Sequence, residues 1–225
     1  MALSSRPRPF RDSSLFVIGL EGEESGAEYQ YFQEILTLLD LRRVRLEFLP
    51  TSEVGHDSDP DAVFNRVQDY TETHRLERFD RVWIILDFDS WGDKKLSLVA
   101  MNAKQCDFSL GISNPCFELW LLLHHEHVDL TSITNEGPRG RSRAAKSAWR
   151  ARTVSITHET VIRARTEARR LGAGDPASAR WPSCPGSDIY RLFDDLEDKK
   201  ALGSQGLMSK SNSVASADTS TRSRA

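Results

Sequence analysis

The chain has 225 residues, an apolar content of 39% and a formal net charge of −3, and its length fits one domain, or one domain with an appendage. No run approaches the ~20 apolar residues that a membrane span needs, and the polar N-terminus lacks the apolar core of a signal peptide. The three cysteines have neither C-x-x-C spacing nor an even count. These features predict a cytoplasmic protein with reduced thiols and no membrane contact.

Alternating apolar strands and helical patterns predict the fold class. Strands are expected at 15–20, 44–49, 82–86 and 107–112, and helices at 27–39, 61–78 and 96–105. This order predicts an α/β fold with a Rossmann-like, mainly parallel sheet and helices on both faces. The carboxyl ends of all its strands would then lie at one edge.

Glu21 directly follows the first predicted strand and precedes a glycine-containing turn and a helix. This is the usual ligand edge of an open parallel sheet. The neighbouring acids Glu23 and Glu24 fit a simpler role, because negative charge stabilises the positive N-terminus of a helix. We therefore predict Glu21 as a site residue and keep Glu23 as a candidate supporting group.

The buried strand at 82–86 ends in the sequence Asp87-Phe88-Asp89. Alternate side chains of an extended chain project to the same side about 7 Å apart. Because two close carboxylates repel each other, they favour a shared cation, and oxygen ligands suit Mg²⁺ or Mn²⁺. The alternative is a solvated strand end. With Glu21 at the same edge, we predict Glu21, Asp87 and Asp89 as catalytic and metal-binding residues.

The segment Ser113-Asn114-Pro115 opens a helix at the end of the fourth predicted strand. Asn114 would reach the same edge, and Glu118 lies about one turn into the helix. Glu118 can satisfy backbone N–H groups near the helix start or support a metal ligand. Asn114 and Glu118 are therefore further candidates for groups around the metal.

The basic segment 137–171 contains 10 Lys/Arg and 2 acids. Its density fits a phosphate-binding surface, on which Trp149 would stack a base. The alternative is a solvated helix whose arginines pair with acids elsewhere. We predict nucleic-acid binding by Arg139, Arg141, Arg143, Lys146, Arg150 and Arg152.

Charge and composition also divide the chain. Residues 1–100 hold 12 Lys/Arg against 19 Asp/Glu, and residues 101–225 hold 18 against 14, which fits a metal site beside an anion-binding surface or a chance distribution. The predicted organisation is a flexible N-terminus (1–13), an α/β core (14–135), a basic helical extension that packs on the core (136–202) and a disordered, Ser-rich tail (203–225).

Four segments together resemble the RloB family: LFVIGLEGEESGAEYQYF, VWIILDFDSWGD, ISNPCFELWLLLHH and DIYRLFDDL. RloB proteins are found near restriction loci and are tied to abortive infection and phage defence. The resemblance implies a Toprim-like fold, in which a Glu after the first strand and a D-x-D motif bind Mg²⁺; Glu21, Asp87 and Asp89 match those positions. Leu20 and Phe88 replace a common Cys and Arg. The family setting also implies an RloA-like ABC-type ATPase as partner.

These observations predict a Mg²⁺-dependent nuclease that acts on DNA or RNA, with tRNA among the candidate substrates, as an abortive-infection effector. An alternative is a non-catalytic sensor subunit that binds nucleic acid or a nucleotide. A third is nucleotidyl transfer. The sequence has no GxxxxGK[ST] phosphate loop, so ATP dependence would come from a partner. A homo-oligomer is also compatible with the sequence.

Overall fold

The computed structural model describes residues 13–52, 58–88, 91–175, 179–199 and 201. Within these ranges the strands are β1 (Ser14–Glu23), β2 (Val44–Thr51), β3 (Arg81–Asp87), β4 (Ser109–Asn114) and β5 (Gly186–Ser187). The helices are α1 (Ala27–Leu36), α2 (Pro60–Thr73), α3 (Gly92–Gln105), α4 (Phe117–Leu122), α5 (Thr131–Thr134), α6 (Arg141–Arg150), α7 (His158–Gly172) and α8 (Tyr190–Asp198).

The strands form one sheet in the order β2-β1-β3-β4-β5. β1 pairs in parallel with β2 and β3, and β3 pairs in parallel with β4, whereas β5 is antiparallel to β4. The predicted α/β class and mainly parallel sheet are therefore confirmed. The Toprim-type assignment stays a prediction. The C-terminal region, predicted as helical, also contributes the short strand β5.

Helices cover both faces of the sheet because the strand side chains alternate. Phe16, Ile18 and Leu20 pack with residues of α1, α4, α7 and α8 on one side, called face A. Leu15 and Val17 pack with α2 and α3 on the other side, called face B. The apolar strands are thus buried on both sides, as expected for parallel strands.

The strand order reverses between β1 and β3. The chain passes from β1 through α1 to β2 on one side, and then returns through α2 to β3 on the other side of β1. The connecting helices lie on opposite faces, so a crevice opens at the carboxyl ends of β1 and β3. This topology places the ends of the two acid-bearing strands side by side.

β1 and α2 approach closely at Gly19. A Cβ atom at this position would overlap Cγ2 of Val67 and would lie 3.3 Å from Cγ1 of Val63. Glycine therefore lets α2 pack against the backbone of β1 on face B.

All four predicted strands extend past their predicted ends, and the extensions of β1 and β4 bear most on the site. β1 continues to Glu23, which pairs with Thr51 after a register shift, so Glu21 lies within the strand and not after it. β4 runs to Asn114, which pairs with Gly186. The prediction ended each strand with its apolar run, whereas backbone pairing continues through the polar residues.

Some predictions fall outside the described residues. They include Asp89, the tail at 203–225 and the N-terminal segment except its last residue, which is described. Among the helices that the structure describes, none is long and apolar enough to cross a membrane.

Candidate metal centre

Glu21 connects the ends of the two central strands. Its Oε2 accepts a hydrogen bond from the backbone N–H of Asp87 at 2.9 Å, and its Oε1 accepts one from Nε1 of Trp91 at 2.9 Å. The side chain is only 9% exposed. The structure therefore brings Glu21 and Asp87 together, as the sheet topology predicted, and fixes the orientation of the Glu21 carboxylate.

Asp87 is the last residue of β3 and is 8% exposed. Its side chain lies on the same side of β3 as those of Trp83 and Ile85, which belong to the face A core. Its Oδ1 accepts a hydrogen bond from the backbone N–H of Phe117 at 2.8 Å, at the start of α4. This contact directs the carboxylate toward the helices on face A.

Glu28 is an acid of the centre that the sequence analysis missed. It is 7% exposed and lies in the first turn of α1, where its Oε2 accepts a hydrogen bond from the N–H of Gly22 at 2.8 Å. Glu28 shares its helix face with the buried Tyr31, Phe32 and Ile35. An acid on the apolar side of an amphipathic helix was the signal that would have identified it.

Glu118 comes from the first turn of α4 and is half-buried. One ligand atom each of Asp87, Cys116 and Glu118 lie within 4.8 Å of one another. Glu118 therefore faces the same centre. The buried Cys116 thiol lies between this centre and a hydrophobic cluster under α6.

Lys146 of α6 lines the same small cavity, which has a volume of about 210 Å³. The cavity is also lined by all the clustered acids: Glu21, Glu28, Asp87 and Glu118. The sequence pattern predicts Lys146 to be a phosphate ligand on a basic segment. The structure places it beside the carboxylates, where an ammonium group can balance their charge or contact a bound anion.

The electrostatics of the centre follow from burial and from like charges. Burial, together with the charges of Glu21 and Glu118, raises the pKa of Glu28 to about 8. The pKa of Asp87 is raised well above its usual value by burial and then by the charges of Glu21 and Glu28, and Lys146 opposes this change. A cation in the cavity would relieve the repulsion, and carboxylate oxygens suit a hard divalent ion.

Two of the candidate supporting residues lie at the margin of this centre. Glu23 is the half-buried last residue of β1 and is not among the cavity-lining residues. The Asn114 side chain is buried and donates from Nδ2 to the carbonyl oxygen of Pro182 at 2.9 Å, which ties β4 to the segment before β5.

The arginines of the basic segment differ in whether they form ion pairs. Those of α7 form ion pairs with nearby acids: Arg163 with Glu126 and Glu159, Arg165 with Asp194 and Glu197, Arg169 with Asp194, and Arg170 with Glu167. In contrast, Arg139, Arg143 and Arg150 are exposed and form no ion pair within the described parts of the chain. The alternative of internally paired arginines therefore describes α7 and not the exposed arginines in and before α6.

Trp149 is engaged in packing. It lies half-buried against two hydrophobic clusters, and its ring is edge-on to His125 with the ring centroids 5.8 Å apart. This packing anchors α6, and the stacking of a base on Trp149 stays a prediction.

Comparison with protein families matched residues 16–196 to a family described as RloB-like protein. Searches of the curated proteins and of the solved structures each returned no match. The matched range covers most of the chain and includes all the acids of the centre and the whole of α6. The chain belongs to the RloB-like protein family.

Proposed function

We propose that this protein is a Mg²⁺- or Mn²⁺-dependent nuclease that hydrolyses phosphodiester bonds of DNA or RNA and serves as an effector of phage defence. The observation that carries the proposal is the convergence of Glu21, Glu28, Asp87 and Glu118 in one recessed cavity beside Lys146. The RloB resemblance supports the defence role, the choice of tRNA among candidate substrates and an RloA-like ABC-type ATPase as partner.

The donor set of the cavity fits a hard divalent cation. The four clustered acids offer only oxygen atoms, and three of them are less than a tenth exposed. Asp87 and Glu118 have ligand atoms within 4.8 Å of each other and would hold the ion, with Glu21 and Glu28 completing the shell. When bound, such an ion polarises a phosphoryl oxygen and makes a water molecule more acidic.

The protein groups have distinct roles in this proposal. Glu21 and Asp87 each accept a backbone N–H bond, which fixes their orientation and leaves further lone pairs for a cation or a proton. Lys146 would contact a non-bridging phosphate oxygen and stabilise the charge that grows there. The burial of the carboxylates lowers the local dielectric constant and thereby strengthens these interactions.

Incubation of the full-length protein with labelled DNA and tRNA, in Mg²⁺ and in Mn²⁺, tests the proposal. We expect cleavage by the wild type and a loss of at least about 100-fold in Asp87→Asn, because this change removes a central charge of the centre. Glu24→Gln is the matched control, since Glu24 is an exposed acid in the turn after β1 and does not line the cavity.

Two outcomes would contradict the nuclease proposal. One is intact substrate with the wild type, both alone and together with its ABC-type ATPase partner. The other is cleavage by Asp87→Asn at the rate of the wild type. Tight binding of intact nucleic acid would instead point to the sensor-subunit alternative.

A further inference from the structure

We infer that α6 binds the sugar-phosphate backbone of a single-stranded nucleic acid along one face, formed by Arg143, Lys146 and Arg150, so that the strand passes over the carboxylate cavity at Lys146. The inference rests on the proposed function for the role of the cavity. The inference adds to the proposed function that the substrate is single-stranded and that these three residues bind its backbone.

Helix geometry places these three cations in one row. Spacings of three and four residues put them within about 60° of one another around the axis. Lys146 lines the cavity, which fixes the direction in which the row faces. Arg143 and Arg150 are exposed and lie about 4.5 and 6 Å from Lys146 along the axis, one on either side. The row therefore crosses the mouth of the carboxylate cavity.

The remaining arginines at the ends of α6 lie elsewhere. Arg141 is about 160° around the axis from Arg143, on the side on which Ala145 and Ala148 pack against the protein, and Arg152 follows the end of α6. Arg141 donates from Nε to the carbonyl oxygen of Glu136 at 3.2 Å, and Arg152 donates to that of Ala148 at 2.9 Å. Both arginines are thus directed away from the cavity.

The shape of this surface favours a single strand over a duplex. The row is about 10 Å long, so it can contact only a few consecutive phosphates. One row of cations follows one backbone, as in proteins that bind single strands. The target phosphate must also reach carboxylates that are less than a tenth exposed, in a cavity of about 210 Å³. A single strand can bend inward without breaking base pairs.

Binding can be measured without catalysis. Fluorescein-labelled 20-nucleotide oligo(U) and oligo(dT) would be titrated with the full-length protein in EDTA at several salt concentrations, with fluorescence anisotropy as the readout. The test variant is Arg143→Gln/Arg150→Gln. The matched variant is Arg75→Gln/Arg78→Gln, at two exposed positions just before β3 and therefore at the opposite edge of the sheet from the cavity. Each variant removes two charges from the protein, and circular dichroism checks the fold.

We expect the test variant to lose about 10- to 30-fold in affinity near 0.1 M salt and to reduce the slope of log affinity against log salt by about 1.4, or 0.7 for each phosphate contact. The matched variant should stay within about twofold of the wild type. Either single strand should bind more tightly than a duplex of the same length. The oligonucleotide that binds more tightly, oligo(U) or oligo(dT), would show whether the protein prefers RNA or DNA.

Equal losses in both variants would overturn the inference, as would tighter binding of the duplex. Competition by poly-glutamate as effective as that by the oligonucleotide would also overturn it and would point to an acidic protein partner. Failure of the nuclease proposal is distinguishable, because a protein that binds single strands as expected but cuts nothing contradicts only that proposal. Cleavage with equal binding losses in the two variants contradicts only this inference.

Discussion

Glu28 illustrates how a buried acid can weaken the metal-free fold. Its carboxyl group is 7% exposed and lies close to other acids, and burial raises its pKa from the ordinary value of 4.5 to about 8. A raised carboxyl pKa means that the folded protein favours the neutral form. The stability that this group provides is therefore fully present below pH 4.5 and is lost as the pH rises through about 8.

Glu28→Gln should stabilise the metal-free protein and weaken its response to Mg²⁺. Glutamine keeps the size of the side chain and can accept the Gly22 N–H, but it carries no charge. In EDTA at pH 8 we expect a gain on the order of 1–3 kcal/mol in the free energy of unfolding, measured with urea. The rise in Tm on addition of Mg²⁺ should be smaller than in the wild type.

Glu24→Gln is the matched control for this measurement, because Glu24 is exposed and does not line the cavity. It should leave both the stability and the Mg²⁺ response unchanged. Unchanged or lower stability of Glu28→Gln in EDTA would show that the carboxylate does not strain the metal-free centre.

The residues of the centre differ in how far the sequence could predict them. Glu21 and Asp87 follow from local patterns, because each lies at the polar end of an apolar strand and parallel strands share one carboxyl edge. Lys146 was predicted to bind phosphate, but its position beside the carboxylates depends on how α6 packs against α4. Such long-range packing has no local signature in the sequence.

At the level of secondary-structure elements, the sequence predicted the order of the main strands and helices better than their ends. Helix α3 begins at Gly92, before the predicted start at Leu96. The prediction missed its first turn because that turn is polar and lacks the apolar periodicity of the rest of the helix. Strand β5 was missed, since the pair Gly186-Ser187 has neither apolar residues nor β-branched residues. It forms because β4 offers it a partner, which is information from the tertiary structure.

The close packing of β1 and α2 gives a prediction for Gly19. Gly19→Ala would place a methyl group against Val67, so we expect a loss of about 1–3 kcal/mol in the free energy of unfolding. Combining it with Val67→Ala should cost less than the sum of the two single changes, because the second substitution makes room for the first. Urea unfolding of all three variants provides the measurement.

Gly172→Ala is the control for this cycle. Gly172 ends α7, and a Cβ atom there would meet nothing within 4 Å, so alanine should be neutral or slightly stabilising. Additive losses for Gly19→Ala and Val67→Ala would mean that their side chains do not compete for the same space.

Across the whole molecule, the division into an acidic and a basic half has two structural origins. The acidic half supplies Glu21, Glu28 and Asp87 to the cavity. Much of the basic charge on α7 is balanced within the C-terminal half by acids such as Asp194 and Glu197. The net charge of each half was therefore a weaker guide than the position of each arginine, which only the fold reveals.

The buried His124 should make global stability sensitive to acid. Its Nε2 lies 3.1 Å from the hydroxyl of Tyr31 and its Nδ1 lies 3.0 Å from the carbonyl oxygen of Trp120. Burial lowers its pKa from 6.5 to about 4, so the unfolded chain binds a proton before the folded protein does. Its contribution to stability is thus lost as the pH falls from 6.5 toward 4, up to about 3 kcal/mol.

The measurement is the difference between wild type and His124→Gln, because the raised pKa values of Glu28 and Asp87 act in the opposite direction over the same pH range. In urea unfolding at pH 7.0, 5.5 and 4.5, the advantage of the wild type over the variant should shrink as the pH falls. Ile133→Val, a buried change that removes no titratable group, should show a constant difference. A pH-independent difference for His124→Gln would show that the buried ring does not control the acid response.

The face A core joins the parts of the chain that lie before and after residue 135. Trp120 of α4 stacks on Phe193 of α8 with the ring centroids 5.4 Å apart, and Tyr31 of α1 contacts both rings edge-on. The region that carries the basic helix is therefore not an interchangeable module. Recombination that grafts a different α6–α8 region onto this sheet, as a route to a new substrate, would need matching changes on α1 and α4 to preserve the shared packing.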